Sequence, residues 1–213
     1  MATKKPLALR VLFIGNSFTA RNDLPGLVAL LADGAGNRLE HQLLSIGGAS
    51  LGTHWNKGEA RAAIEHGRFD YVVLQEQSTL PIQNATRMHE NVRLFDPVIR
   101  AAGSKTALYM TWARKHAPQT QAVITAAYTS IAREIAATLI PAGIAWQRAL
   151  RPPAKIVLHD KDGSHPTLAG SFLAACVAYR ALFRGRLPRD VNVDGLTEEQ
   201  IKMLQSIAGT VTI

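Results

Sequence analysis

At 213 residues, 47% of them hydrophobic, the chain suits one globular domain over residues 1–213 with a sizeable core. A single cysteine excludes an internal disulfide framework and a cysteine-rich metal site. The formal net charge of +8 points toward anionic partners, yet the cations are scattered. Their densest group, Arg180, Arg184, Arg186 and Arg189, falls where cations complement a helix C-terminus. With no basic stripe interleaved by aromatics, nucleic acid is not an expected partner. No apolar run approaches the ~18 residues of a membrane span, so membrane insertion is not expected either.

Lys4 and Lys5 precede apolar residues as in a secretory leader, but Arg10 interrupts the run and no small-residue cleavage site follows. The stretch reads better as a first strand, Ala8 to Ile14, closed by Gly15, and a cytoplasmic location is expected. Leu24 to Ala32 has helical spacing before Gly34 and Gly36. Leu39 to Ile46 reads as a strand, Ala60 to Glu65 as the centre of a helix ending at His66-Gly67, and Tyr71 to Leu74 as a buried strand. Met88 to Ala102 is a helix stopped by Gly103, and a strand follows from Thr106 to Thr111. Gln119 to Ile140 reads as one long helix ended by Pro141 and Gly143, with Ile144 to Trp146 as the fifth strand. Pro166 opens a helix over Leu168 to Phe183, where Cys176 is a core thiol, and Thr197 to Ile207 is a last amphipathic helix. The alternation predicts an α/β protein: a three-layer αβα, flavodoxin-like fold around a parallel sheet of about five strands.

Ligands of such sheets bind beyond the carboxyl ends of the strands. Ser17, Gly48, Gln75 and Trp112 each follow a strand and so share that edge. Two distant segments carry chemistry there. Phe13-Ile14-Gly15-Asn16-Ser17-Phe18-Thr19 offers a hydroxyl at a strand end, and Asp162-Gly163-Ser164-His165-Pro166 offers an imidazole and a carboxylate. A serine hydroxyl is a weak nucleophile until an imidazole takes its proton, and a carboxylate must hold that imidazole in the right tautomer. Ser17 by itself also suits a helix N-cap. The pairing of both segments at opposite ends of one α/β chain favours Ser17, His165 and Asp162 as nucleophile, base and orienting acid.

These segments resemble the blocks of the SGNH (GDSL-type) hydrolases from about Leu9 to Phe183. Gly15-Asn16-Ser17 matches the family's Gly-Asp-Ser block with Asn for Asp, and Asp162-Gly163-Ser164-His165 matches its Asp-x-x-His block in full. Ser45-Ile46-Gly47-Gly48-Ala49-Ser50 stands where the second block falls, and the resemblance implies that the Gly48 amide joins the Ser17 amide in an oxyanion hole. The third block, Gly-x-Asn-Asp, is absent; its place reads Val72-Val73-Leu74-Gln75-Glu76-Gln77-Ser78. Acetylesterase branches of the family use a Gln there, which implies Gln75, with Gln77 as the alternative, as third donor.

Other motifs compete. Gly48-Ala49-Ser50-Leu51-Gly52 is a literal G-x-S-x-G, the elbow of α/β-hydrolases, but only two strands precede it and the chain is short for that fold. Asp190-Val191-Asn192-Val193-Asp194-Gly195 copies half an EF-hand loop, with Ile201 where the bidentate Glu should stand, so no calcium site is expected. The seven His residues lack metal-ligand spacing. Asn16, His54 and Trp112 are candidate substrate contacts. His54 suits a surface loop better, Trp112 a core or rim position equally, and Glu76 an exposed or ion-paired one. The expected activity is hydrolysis of a small ester, an acetyl or other short acyl group, with no metal or cofactor. A non-catalytic binding protein on the same scaffold, or an esterase using Ser50, is the alternative.

Overall fold

The computed structural model describes residues 6–152 and 156–213; Lys4 and Lys5 lie outside them. The chain runs through β1 (Ala8–Gly15), α1 (Ser17–Ala20), α2 (Leu24–Gly34), β2 (Arg38–Ser45), α3 (Leu51–Lys57), α4 (Glu59–His66) and β3 (Tyr71–Leu74). It continues with α5 (Leu80–Gln83), α6 (Ala85–Ala101), β4 (Lys105–Tyr109), α7 (Gln121–Glu134), β5 (Thr138–Ile140), α8 (Ala142–Ala149), α9 (Leu168–Phe183) and α10 (Glu198–Thr210). The five strands form one sheet in the order β2-β1-β3-β4-β5, every pairing parallel. Alternate residues of the inner strands face opposite layers, as the two-residue period of a strand requires. Val11 and Phe13 of β1, with Val73 and Tyr109, pack under α2, α8, α9 and α10. Leu12 and Ile14, with Val72, Leu74 and Leu108, pack under α3, α4, α6 and α7. This is the doubly wound, flavodoxin-like order, whose switch point lies at β1 and β3.

The sequence reading fails in one stretch. Residues 119–140 are not one helix: α7 ends at Glu134, and Thr138–Ile140 is β5, paired with Ala107–Tyr109 of β4. The stop is hidden because Ala136 takes the left-handed conformation (φ 50°) that a glycine usually marks. The expected fifth strand, Ile144–Trp146, instead lies within α8, with Pro141 as its N-cap. Four Ala or Gly residues of α8 (Ala142, Gly143, Ala145 and Ala149), with Trp146, suit a helix packed close to the sheet. Gly143 meets the carbonyl of Thr111, which a Cβ would approach to 2.1 Å. The short helices α1, α3 and α5 carry too little periodicity to be read from sequence.

Candidate active site

β1 delivers Ser17 to the carboxyl edge of the sheet through a turn that its neighbours hold tightly. Asn16, 2% exposed, is the N-cap of α1: its Oδ1 accepts from the Phe18 amide at 3.0 Å. Its Nδ2 donates to the carbonyl of Ala49 at 3.0 Å, and its own amide donates to Gln75 Oε1 at 2.9 Å. Asn16 therefore pins the turn to the ends of both β2 and β3, and is not a substrate contact. Gly15 must be glycine for close approach, since a Cβ there would lie 2.6 Å from both Gln75 Oε1 and Thr19 Oγ1. Ser17 is left half-buried at the surface of this knot.

The second segment reaches Ser17 from the loop before α9. Ser17 Oγ and His165 Nε2 are 2.8 Å apart, and His165 Nδ1 is hydrogen-bonded to Asp162 Oδ2. The carboxylate can only accept, so Nδ1 carries the proton and Nε2 is free to accept from the Ser17 hydroxyl. Asp162 Oδ1 also accepts the amides of Ser164 and His165, each at 2.9 Å. The His165 hydrogen bond first, then the Ser164 and His165 amides, hold the Asp162 carboxyl well below the usual carboxylate range. Three contacts seat the loop: Trp112 Nε1 donates to Ser164 O (3.0 Å), the Lys115 amide to Gly163 O (2.8 Å), and Asn22 Nδ2 to Pro166 O (3.2 Å). Asn22 and Asp23 both adopt left-handed φ (54° and 48°), which turns the chain so that Asn22 also reaches Ser171 Oγ at 2.9 Å. Arg21 pairs with Asp160 beside it. Nothing in the sequence marks Asn22 or Arg21 as partners of a segment so distant in the chain.

The turn after β2, which holds Gly48, is tied to the nucleophile turn on both sides of that glycine, through Ile46 and Ala49. The Ile46 amide donates to Gly15 O at 3.2 Å, and Gly48 takes φ 68°, which its lack of a Cβ permits. The backbone amides of Ser17 and Gly48 have no acceptor among the described residues.

Gln75, the expected third donor, is held within the turn. It is 1% exposed; its Oε1 accepts the Asn16 amide and the Thr19 hydroxyl, both at 2.9 Å, and its Nε2 donates to the carbonyl of Glu76. Its oxygen and one of its two N–H groups are thus used internally, and Gln75 braces the nucleophile turn. Gln77 differs. Its Oε1 accepts from the Thr79 amide (2.8 Å), the Thr79 hydroxyl (2.9 Å) and the Leu80 amide (3.0 Å), while its Nε2 has no partner among the described residues.

Glu76, expected exposed or ion-paired, is 1% exposed. It accepts the amides of Leu51 (3.0 Å) and Gln77 (2.6 Å) and Asn91 Nδ2 (2.8 Å), so it joins α3, α6 and the end of β3. Burial pushes its carboxyl above the usual range, against the pull of these donors. His54 lies in α3 and not in a loop; it is buried, and its Nε2–H donates to Gly15 O at 2.8 Å. Burial lowers its pKa, so it serves as a neutral brace behind β1 and does not line the site. Trp112, 2% exposed, stacks on Trp146 with centroids 3.7 Å apart and lies 5.3 Å from the Phe18 ring, which in turn lies 5.2 Å from the His165 ring. It is a core aromatic that supports the site from behind. Ser50 is the N-cap of α3, its Oγ accepting the Thr53 amide at 3.2 Å and touching the Thr53 hydroxyl, with no histidine among its partners. Among the described residues no three His, Cys, Asp or Glu side chains are grouped to hold a metal ion, and no helix is long and apolar enough to cross a membrane.

A parallel sheet with a hydrogen-bonded Ser–His–Asp chain at its switch point defines a hydrolase-like α/β protein. The fold is that of the SGNH, or GDSL-type, hydrolases. A candidate SGNH hydrolase from Slackia heliotrinireducens superposes with a TM-score of 0.72 at 28% identity, over 82% of this chain and 99% of its own. A DUF4886 family protein from Bacteroides uniformis gives 0.75 at 20% identity, over 94% and 93%. A mutant form of an acetyl-xylooligosaccharide esterase from Geobacillus gives 0.60 at 16% identity, over 85% and 95%. No protein-family model and no curated protein matches the sequence.

Proposed function

We propose that the protein is a serine esterase acting on a small ester, with an acetyl or other short acyl group. The hydrogen-bonded chain from Ser17 Oγ through His165 to Asp162 carries this reading. Ser17 Oγ attacks the ester carbonyl while His165 Nε2 takes its proton. Asp162 holds the ring and stabilises the imidazolium that forms. The tetrahedral oxyanion is met by the free amides of Ser17 and Gly48 and, as third donor, by Gln77 Nε2. Of the two glutamines the sequence offers, we take Gln77, the alternative, as third donor, because Gln75 is buried with its Nε2 on the Glu76 carbonyl whereas Gln77 Nε2 has no partner among the described residues. Collapse of the intermediate expels the alcohol with the proton from His165. Water then repeats the sequence on the acyl-enzyme, returning the acid product and free Ser17.

Similarity to an esterase that acts on acetylated xylooligosaccharides supports a short acyl group and a carbohydrate or other small alcohol. A fluorophosphonate probe tests the reading, because only an activated serine reacts. We expect one adduct, on Ser17, abolished in Ser17→Ala and retained in Ser50→Ala, with hydrolysis of acetyl esters lost in the first variant. Absence of any adduct in the folded protein would favour a non-catalytic binding role, and an adduct on Ser50 would refute the assignment of Ser17.

A further inference from the structure

Beyond the Ser17 site, a cavity of about 430 Å³ opens between the β4–α7 connection, α8 and residues 156–159. Ser17, Gly48, Gln77 and His165 are not among its lining residues. Its walls are apolar through Trp146, Leu150, Ile156 and Leu158, while Arg114 and Lys115 bring two positive charges and no acidic side chain among the described residues lines it. His159 adds no charge: burial lowers its pKa, and its Nε2–H is donated to the carbonyl of Ala113 at 2.9 Å. Two N–H groups of lining residues, Arg114 Nε and Trp146 Nε1, are buried and have no partner among the described residues. Trp146 itself is fully buried. Both N–H groups are closed to solvent, so what the cavity offers an anion is the charge of half-buried Arg114, which has no acidic partner among the described residues, and of exposed Lys115.

We infer that this cavity binds a small organic carboxylate with an apolar body. The carboxylate oxygens accept from Arg114, within the field of Lys115, and the body packs against Trp146, Leu150, Ile156 and Leu158. An inorganic anion would leave the apolar walls uncovered, and a neutral apolar ligand would gain nothing from the charges of Arg114 and Lys115.

Hexanoate is a suitable probe, with hexanamide as its neutral match and sulfate as the anion lacking a body. Titrations by calorimetry and tryptophan fluorescence use the full chain as Ser17→Ala, so that the result does not depend on esterase activity. We expect saturable hexanoate binding, with hexanamide and sulfate weaker by about tenfold or more, the range of one charge-assisted hydrogen bond. Arg114→Gln should weaken hexanoate by a similar factor. Lys115→Glu should do the same; this side chain is exposed, so the variant keeps the result decisive if Arg114→Gln fails to fold. Prior phosphonylation of Ser17 in the wild-type chain should leave hexanoate affinity unchanged. Binding blocked by phosphonylation, binding equal for hexanamide, indifference to both substitutions, or no saturable binding would each overturn the inference.

Discussion

At the scale of single residues, Asp162 and the two glutamines separate chemistry from support. Asp162→Asn would remove the carboxylate that fixes the His165 tautomer. By analogy with the same change in the chymotrypsin-type triad, kcat should fall by up to about 10⁴-fold, measured on an acetyl ester; a near wild-type rate would remove Asp162 from the mechanism. The depressed pKa of this group has a definite sign. Its folded value lies below the unfolded one, so its hydrogen bonds stabilise the fold above the unfolded value of ~3.9 and are lost only as pH falls through the lower folded value. A carboxyl-carbon chemical-shift titration should find Asp162 still ionised near pH ~4, where an ordinary aspartate is half protonated. Gln77→Ala should lower kcat by roughly 10²–10³-fold with little change in KM, the signature of a lost oxyanion donor. Gln75→Ala should act on stability instead. It leaves the Asn16 amide and Thr19 hydroxyl without their buried acceptor, at a cost of about 1–3 kcal/mol by urea denaturation. An unaltered midpoint for Gln75→Ala, with kcat alone reduced, would restore it as the donor.

At the scale of elements, the site depends on how closely helices and strand ends approach. α8 comes against the end of β4 at Gly143, whose added Cβ would stand 2.1 Å from Thr111 O and 2.4 Å from Gln121 Nε2. One of those atoms is backbone and cannot yield. Gly143→Ala should therefore cost about 1–3 kcal/mol or more through overpacking, and shift the connection after β4 that seats the His165 loop. Gly209 in α10 is the control. Nothing lies within 4 Å of its added Cβ, so Gly209→Ala should stabilise by about 0.4–1 kcal/mol through the reduced entropy of the unfolded chain. Paired denaturation curves distinguish the two, and equal effects would contradict the packing described for α8. The clamp formed by Asn22 belongs to this scale too, since it ties the chain after α1 to the loop before α9.

At the scale of the whole molecule, the sheet divides two apolar layers, and the site sits where both meet its carboxyl edge. Cys176 lies in the deeper part of one layer, in the helix α9, which is buried along nearly its whole length. Burial raises its thiol far above the ordinary value, so little nucleophilic thiolate forms. Reaction with a chromogenic disulfide reagent should then be negligible in the native state. It should rise with urea at the same midpoint as the loss of circular dichroism, because opening α9 requires opening the layer. Rapid labelling in buffer would show that this layer opens separately.

Much of this protein is determined locally. Apolar runs such as Tyr71–Leu74 and the helix opened after Pro166 announce themselves through composition, and their alternation implies the parallel sheet and its functional edge. Ser17, His165 and Asp162 could be selected because few residue types perform their chemistry. Where sequence failed, the deciding interactions were distant in the chain. β5 exists because Ala136 turns left-handed and Thr138–Ile140 finds β4, neither of which leaves a periodic trace. Gln75 and Gln77 are the same residue type two positions apart, and only the folded chain gives them different partners, Asn16 and Thr19 for one and Thr79 and Leu80 for the other. Local preference selects elements and chemically able side chains; which hydrogen-bonding group remains unspent is decided by neighbours that only the folded chain brings together.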